Sequence, residues 1–376
     1  MSNAVYLDYN ATAPIRPQVI DLMHDIMKNV GNPSSIHRAG RKAREHVDLA
    51  RDRVAALVHA DRENVIFTSC GTEADNLALR GFGDRHLVVS AVEHGAVLAP
   101  SMIFDPHCAI VPVDGDGLLD LEALEAALAS AQKPITASIM LANNETGVIQ
   151  PIEEIASLVH DYDGLLHCDA IQAAGKIPVD INELGIDLLS LSAHKIGGPQ
   201  GVGVLIMRQD MAVRASLIGG GQERGRRSGT ENVAGIAGFG LAAELALNSL
   251  LHYQELERLR DDMETRVLQL APEAQIFGKS APRLPNTSCL TMPGVKAETQ
   301  LMLFDMAGIY LSAGSACSSG KISASHVLDA MGVPDEVAMT AIRVSLGYDT
   351  VASDIDRFVE SWQDIFERCG GKANAA

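Results

Sequence analysis

Between residues 64 and 207 the chain alternates short apolar runs with amphipathic stretches, and this alternation limits the folds open to it. Residues 64–68, 86–90, 109–113, 136–142, 165–172, 186–191 and 202–207 read as strands. Helical spacing fills 74–81, 121–131 and 152–160 between them. Strands that return through helices build a mostly parallel sheet with helices on both faces, an α/β fold. Helices are also expected at 17–30, 38–60, 233–247 and 250–270. The rest reads as mixed, with strands at 5–10, 286–292, 309–311 and 341–347 and helices at 297–307 and 354–369.

The turn after run 186–191 carries unusual chemistry: Ser192-Ala193-His194-Lys195, then Gly197, Gly198, Gly201 and Gly203. Glycine weakens strands, so four of them suggest close approach of the backbone to something else. A lysine among apolar neighbours has a depressed pKa and becomes a nucleophile able to form a Schiff base with an aldehyde. Pyridoxal phosphate is the usual aldehyde. A surface lysine beside a β-turn is the competing explanation.

Other residues supply matching parts. Run 64–68 leads through Ser69-Cys70-Gly71-Thr72-Glu73 into a helix. The free N–H groups and dipole of its first turn suit an anion, Gly71 permits close approach, and the Thr72 hydroxyl can add a hydrogen bond. A plain helix cap by Ser69 or Thr72 is the alternative. Asp169 ends an apolar run, and a buried carboxylate needs a cation such as a protonated pyridine nitrogen. It could also cap a helix from Ala170 onward. Gln172 lies within reach of a ring oxygen. His94 follows a strand at the carboxyl edge, where open α/β sheets bind ligands, a satisfied surface histidine being the alternative. Asn143-Asn144-Glu145-Thr146-Gly147 offers either ligand contacts or turn chemistry. The basic, Gly-rich loop 219–232, with Thr230, can deliver Arg and Thr to an anion or stand as a solvated loop. Arg343 sits inside an apolar strand and wants a carboxylate, best held by a bidentate fork. Cys317 stands in a run of small polar residues, so its thiol is expected to be accessible and mobile, an incidental surface thiol being the alternative.

Composition narrows the partners. A net charge of −18 sets the average surface against a phosphate backbone, so no nucleic-acid partner is expected. No apolar run is long enough to span a bilayer, and residues 1–6 have no signal-peptide pattern. A cytoplasmic protein without membrane contact is therefore expected. Its six cysteines form no CxxC pair and no zinc-type spacing. The Ala-rich end, 371–376, is expected to fray.

Taken together, the motifs resemble the cysteine desulfurases of the class V aminotransferase family, the NifS and IscS group. The resemblance rests on nine stretches in order across nearly the whole chain. They are Tyr6-Leu7-Asp8-Tyr9-Asn10-Ala11-Thr12, Thr68 to Glu73, Glu93-His94, Asn143 to Gly147, His167 to Gln172, Ser192-Ala193-His194-Lys195, Arg227-Ser228-Gly229-Thr230, Gly314-Ser315-Ala316-Cys317 and Ile342-Arg343-Val344-Ser345.

The resemblance implies a fold type I enzyme dependent on pyridoxal 5'-phosphate, with a large domain over 14–250. It implies a smaller α+β domain from 1–13 and 251–376, with a mobile cysteine loop at about 312–325. Lys195 would hold the cofactor and move the Cα proton. Asp169 would pair with the ring nitrogen, Gln172 with the phenolic oxygen, and His94 would stack on the ring. Gly71, Thr72, Ser192 and His194 would hold the phosphate, joined by Thr230 of the other subunit of a homodimer. Asn144 would contact cofactor or substrate, and Arg343 with Asn10 would bind the carboxylate of L-cysteine. Cys317 would take the sulfur as a persulfide and leave alanine behind. The sulfur would pass to an acceptor such as an iron–sulfur scaffold. No resident metal is expected, only a Cys317 contact with iron–sulfur cargo during transfer.

Residues 318–325 depart from the family's common wording, although the loop has the length of the long-loop subgroup. The chain ends soon after its closing helix, which leaves open how a scaffold would dock. Gly71 replaces an alanine of several relatives, a minor change. Selenocysteine lyase and a plain class V aminotransferase stand as alternative activities. A catalytically silent scaffold of the same fold is the alternative of a different kind.

Overall fold

A computed structural model describes residues 4–314 and 325–370. Its centre is a seven-stranded sheet in the order Val65–Thr68, Gly203–Met207, Leu188–Ser192, Leu165–Asp169, Ile135–Ser138, His86–Ser90, Ala109–Val111. Every strand points the same way except Gly203–Met207, which runs antiparallel to both neighbours. The central strands are buried along their whole length, as a sheet covered on both faces requires. Alternate residues face opposite sides. Val65, Phe67, Leu166, Cys168, Leu189 and Leu191 join a core with Val47, Val54, Ile155 and Phe239. Ile66, Leu188, Leu205 and Met207 pack with Ala74 and Leu77 on the other face.

A second apolar core gathers Val5 and Leu7 with Leu256, Met263, Phe304, Ile342, Val344, Phe358 and Trp362. Its antiparallel sheet has the order Ser312–Ala313, Ala341–Ser345, Thr287–Thr291. Val5–Tyr6 pairs with Ile309–Tyr310. The N-terminal segment leaves this core at Asp8, which bridges Ser345. It reaches the lysine turn at Ala13, whose N–H donates to the His194 carbonyl over 2.8 Å. These few residues therefore join the second core to the central sheet beside Lys195.

Several elements differ from the sequence expectation. Residues 95–104 were not expected to be helical, yet Gly95–Phe104 is a helix that accommodates Pro100. The strand expected at 136–142 stops at Ser138. The strand expected at 165–172 stops at Asp169. Ser312–Ala313, read as loop, pairs with Ile342 and Arg343. Among the described residues no single helix is long and apolar enough to cross a membrane.

Candidate active site

A cavity of about 510 Å³ opens at the carboxyl ends of the parallel strands, where α/β sheets bind ligands. It gathers Asn10, Gly71, Thr72, His94, Asn144, Asp169, Gln172, Ser192, His194, Lys195 and Arg343. These are all the sequence-selected residues except two. Cys317 lies outside the described residues, and Thr230 is exposed in a separate hollow beside Arg227.

Lys195 ends a short turn after strand Leu188–Ser192. Its ammonium donates to the carbonyl oxygens of Asn10 and Ala11 over 2.5 and 2.9 Å. Its surroundings are thus more polar than the flanking apolar runs suggested. The nearby glycines serve the chain itself. A Cβ at Gly203 would lie 2.4 Å from the Cys70 carbonyl carbon, and one at Gly198 would lie 2.9 Å from the Ala193 oxygen. Gly197 and Gly201 adopt positive φ. The close approach inferred from them is backbone against backbone, and none of the four lines the cavity.

The helix Gly71–Arg80 begins at the cavity with Cys70 as its N-cap and no side-chain cap bond. Neither Ser69 nor Thr72 caps it, so its first-turn N–H groups remain available to an anion. The Glu73 carboxylate instead accepts from the Ser69 N–H over 2.7 Å and from two nitrogens of Arg227 over 2.8 and 3.2 Å. That fork ties the basic loop to the turn. His194 faces the same end of the cavity and meets the Thr12 hydroxyl at 3.2 Å. Burial, then the Lys195 charge, pushes its imidazole down to about 4, so its ring is neutral at pH 7.

Asp169 caps no helix. One of its oxygens accepts from the Ile171 N–H over 2.9 Å. Burial pushes its carboxyl up to about 6, opposed by that N–H and by Lys195. Beside it, burial and then the Asp169 charge hold the Asp75 carboxyl well above its usual range. A ligand cation next to Asp169 would favour its charged form. His94 caps helix Gly95–Phe104, its Nδ1 accepting from the Ala96 N–H over 3.1 Å. That bond leaves the proton of the neutral ring on Nε2. Burial first, then Lys195 and His326, lowers its pKa.

The Asn143 to Gly147 turn divides the two roles left open for it. The Asn143 side chain accepts from the Glu145 and Thr146 N–H groups and shapes the turn, while Asn144 lines the cavity. Arg343 donates to Asp8 over 2.9 Å and to the Asn144 carbonyl over 3.1 Å. It therefore has a carboxylate partner already, held by one nitrogen and not by the bidentate fork expected. Among the described residues its buried Nε has no partner. Lys176, which sequence reasoning passed over, lies buried behind Asn10 and Gln172. Its only local signal was the four-residue spacing from Gln172.

An uncapped helix N-terminus, a lysine at the cavity wall and a buried carboxylate awaiting a cation form a donor set that fits pyridoxal phosphate.

Residues 5–358 match the family model for aminotransferase class-V. A cysteine desulfurase of Cereibacter sphaeroides is 44% identical over 97% of this chain and 96% of its own length. The IscS cysteine desulfurase of Dictyoglomus turgidum is 40% identical over 98% of this chain and 96% of its own. The solved structure of a NifS-like protein from Rickettsia africae superposes with a TM-score of 0.91 at 37% identity, covering 97% of this chain and all of that one. The chain belongs to the class-V aminotransferase family.

Proposed function

We propose that this chain is a pyridoxal-phosphate-dependent cysteine desulfurase, converting L-cysteine to L-alanine with sulfur leaving on Cys317. The observation that carries this is the meeting of Lys195, Asp169 and an open helix N-terminus in one cavity. When bound, the cofactor supplies an electron sink that makes a proton at Cα removable and a bond at Cβ breakable.

The protein's own groups do the rest. The N–H groups at Gly71 and Thr72, with Ser192 and His194, hold the phosphate. Asp169 stays ionised against the ring nitrogen and keeps it protonated. His94 covers the ring as a neutral imidazole. The Lys195 amine takes the Cα proton and returns one. Arg343, with Asn144 and Asn10, receives the substrate carboxylate. Cys317 follows Gly314 by three residues, and three residues reach about 10 Å. Gly314 lines the cavity. The Cys317 thiolate attacks the substrate's sulfur, an S–S bond forms and the Cβ–S bond breaks. The electron pair returns to carbon, Cβ takes a proton, and alanine leaves.

The active form is a homodimer in which exposed Thr230 reaches the partner's phosphate site. A sulfur-acceptor protein, such as an iron–sulfur scaffold, then unloads the persulfide, and the setting is cytoplasmic. The test is release of alanine and sulfide from L-cysteine with added reductant. Wild-type protein should yield the two in equal amounts, and Cys317→Ala should lose about 100-fold or more. Full turnover by that variant would exclude the persulfide route.

A further inference from the structure

Lys176 is 3% exposed and lies directly behind the cavity wall. Its ammonium donates to Asn10 Oδ1 over 2.7 Å and to Gln172 Oε1 over 2.8 Å. Among the described residues both side-chain partners are neutral amides, and a buried amine so held is costly to charge. Burial first, then the charges of Lys195 and Arg343, hold its pKa well below the ordinary lysine range. A residue kept at such cost calls for a reason beyond packing.

The geometry supplies one. Lys176 Nζ donates to both amides, so each turns its oxygen to it, and Asn10 Oδ1 also accepts from Asn286 Nδ2 over 3.2 Å. The amide nitrogen of Asn10 is thereby directed to Thr287 Oγ1 at 2.9 Å and to the Asn144 carbonyl at 3.2 Å. The amide nitrogen of Gln172 donates to the Asn10 carbonyl over 2.9 Å. That carbonyl also receives Lys195. Gln172 has a second N–H, and its side chain lines the cavity. An unconstrained glutamine could present either its oxygen or its nitrogen there.

We infer that Lys176 is a positioning residue that locks the Gln172 amide, so that Gln172 offers its N–H and not its oxygen to an anionic ligand oxygen. On the functional reading above, on which this inference rests, that oxygen is the phenolic oxygen of pyridoxal phosphate.

The test compares Lys176→Met, Lys176→Arg and wild-type protein after removal and re-addition of pyridoxal phosphate. Two quantities are read: the cofactor dissociation constant and the pH midpoint of the visible absorbance band. Lys176→Met should bind about tenfold more weakly, with the midpoint raised by about one unit, because the Gln172 N–H is no longer held toward the anionic oxygen. Lys176→Arg should keep the affinity within about threefold, since it retains N–H donors for both amides. Adding Gln172→Leu to Lys176→Met should weaken binding no further, because the two residues act as one unit. Unchanged affinity and midpoint in a merely less stable Lys176→Met protein would overturn the inference. So would full additivity in the double variant. Should Lys176→Met fail to fold, Gln172→Glu keeps a buried partner for the ammonium but offers the cavity no N–H. Wild-type affinity in that protein would overturn the inference. A wild-type protein that takes up no pyridoxal phosphate would sink the functional reading instead.

Discussion

The Lys195 ammonium donates to the Asn10 carbonyl over 2.5 Å. Asn10 belongs to the segment that joins the second apolar core to the central sheet. Its backbone N–H donates to the Ser345 hydroxyl over 3.0 Å, so that core also fixes the carbonyl's position. A lysine contributed by the sheet is thus aimed by a chain end that folds elsewhere. The position of the Lys195 amine depends on packing between two parts distant in sequence.

Arg343 gives one nitrogen to Asp8 and another to the Asn144 carbonyl. Replacing it by lysine keeps the charge but cannot keep two fixed donors while also meeting a substrate carboxylate. Arg343→Lys should raise KM for L-cysteine about tenfold and leave kcat within about threefold. Steady-state alanine formation measures both. An unchanged KM would remove Arg343 from substrate binding.

Asp169 sets a pH dependence that is visible without cofactor. Its folded-state carboxyl is raised from 3.8 to about 6 by burial. The native state therefore holds a proton that the unfolded state has lost across that window, and stability falls as pH rises through it. Asp169→Asn removes the cost of the buried charge. Cofactor-free Asp169→Asn should be more stable than wild type at pH 7.5, by at most roughly 3 kcal/mol, with the gap closing at pH 4. Urea melts at the two pH values check this. With pyridoxal phosphate bound the order should reverse, because the variant lacks a partner for the ring nitrogen.

Gly203 and Gly71 meet at the start of helix Gly71–Arg80 but tolerate change differently. A Cβ at Gly203 would strike Cys70 and Gly71 backbone at 2.4 to 2.8 Å, whereas one at Gly71 would strike only the Ile171 Cδ1 at 2.3 Å. Backbone cannot yield as a side-chain end can. Gly203→Ala should cost about 1–3 kcal/mol and weaken cofactor binding, and Gly71→Ala should cost less than about 1 kcal/mol. Thermal melts of both variants test this order.

The motif-bearing residues were legible because local sequence marks them. A strand end carries Asp169, a Gly-rich turn follows Lys195, and a strand–turn–helix junction carries Thr72. The parallel sheet was legible from alternation. Lys176 was not, since burial comes to it from Asn10, 166 residues away in the chain. The polar setting of Lys195 was hidden for the same reason. The helix Gly95–Phe104 escaped because Pro100 interrupts its pattern, although the His94 cap starts it. The Arg343 partner escaped because Asp8 sits 335 residues away.

The most direct measurement pairs the visible absorbance of purified protein with alanine formation from L-cysteine, in wild type and in Lys195→Ala. The wild-type protein should be yellow and active, and the variant should lose its colour and at least about a thousandfold in rate. A Lys195→Ala protein as yellow and as active as the wild type would contradict the account.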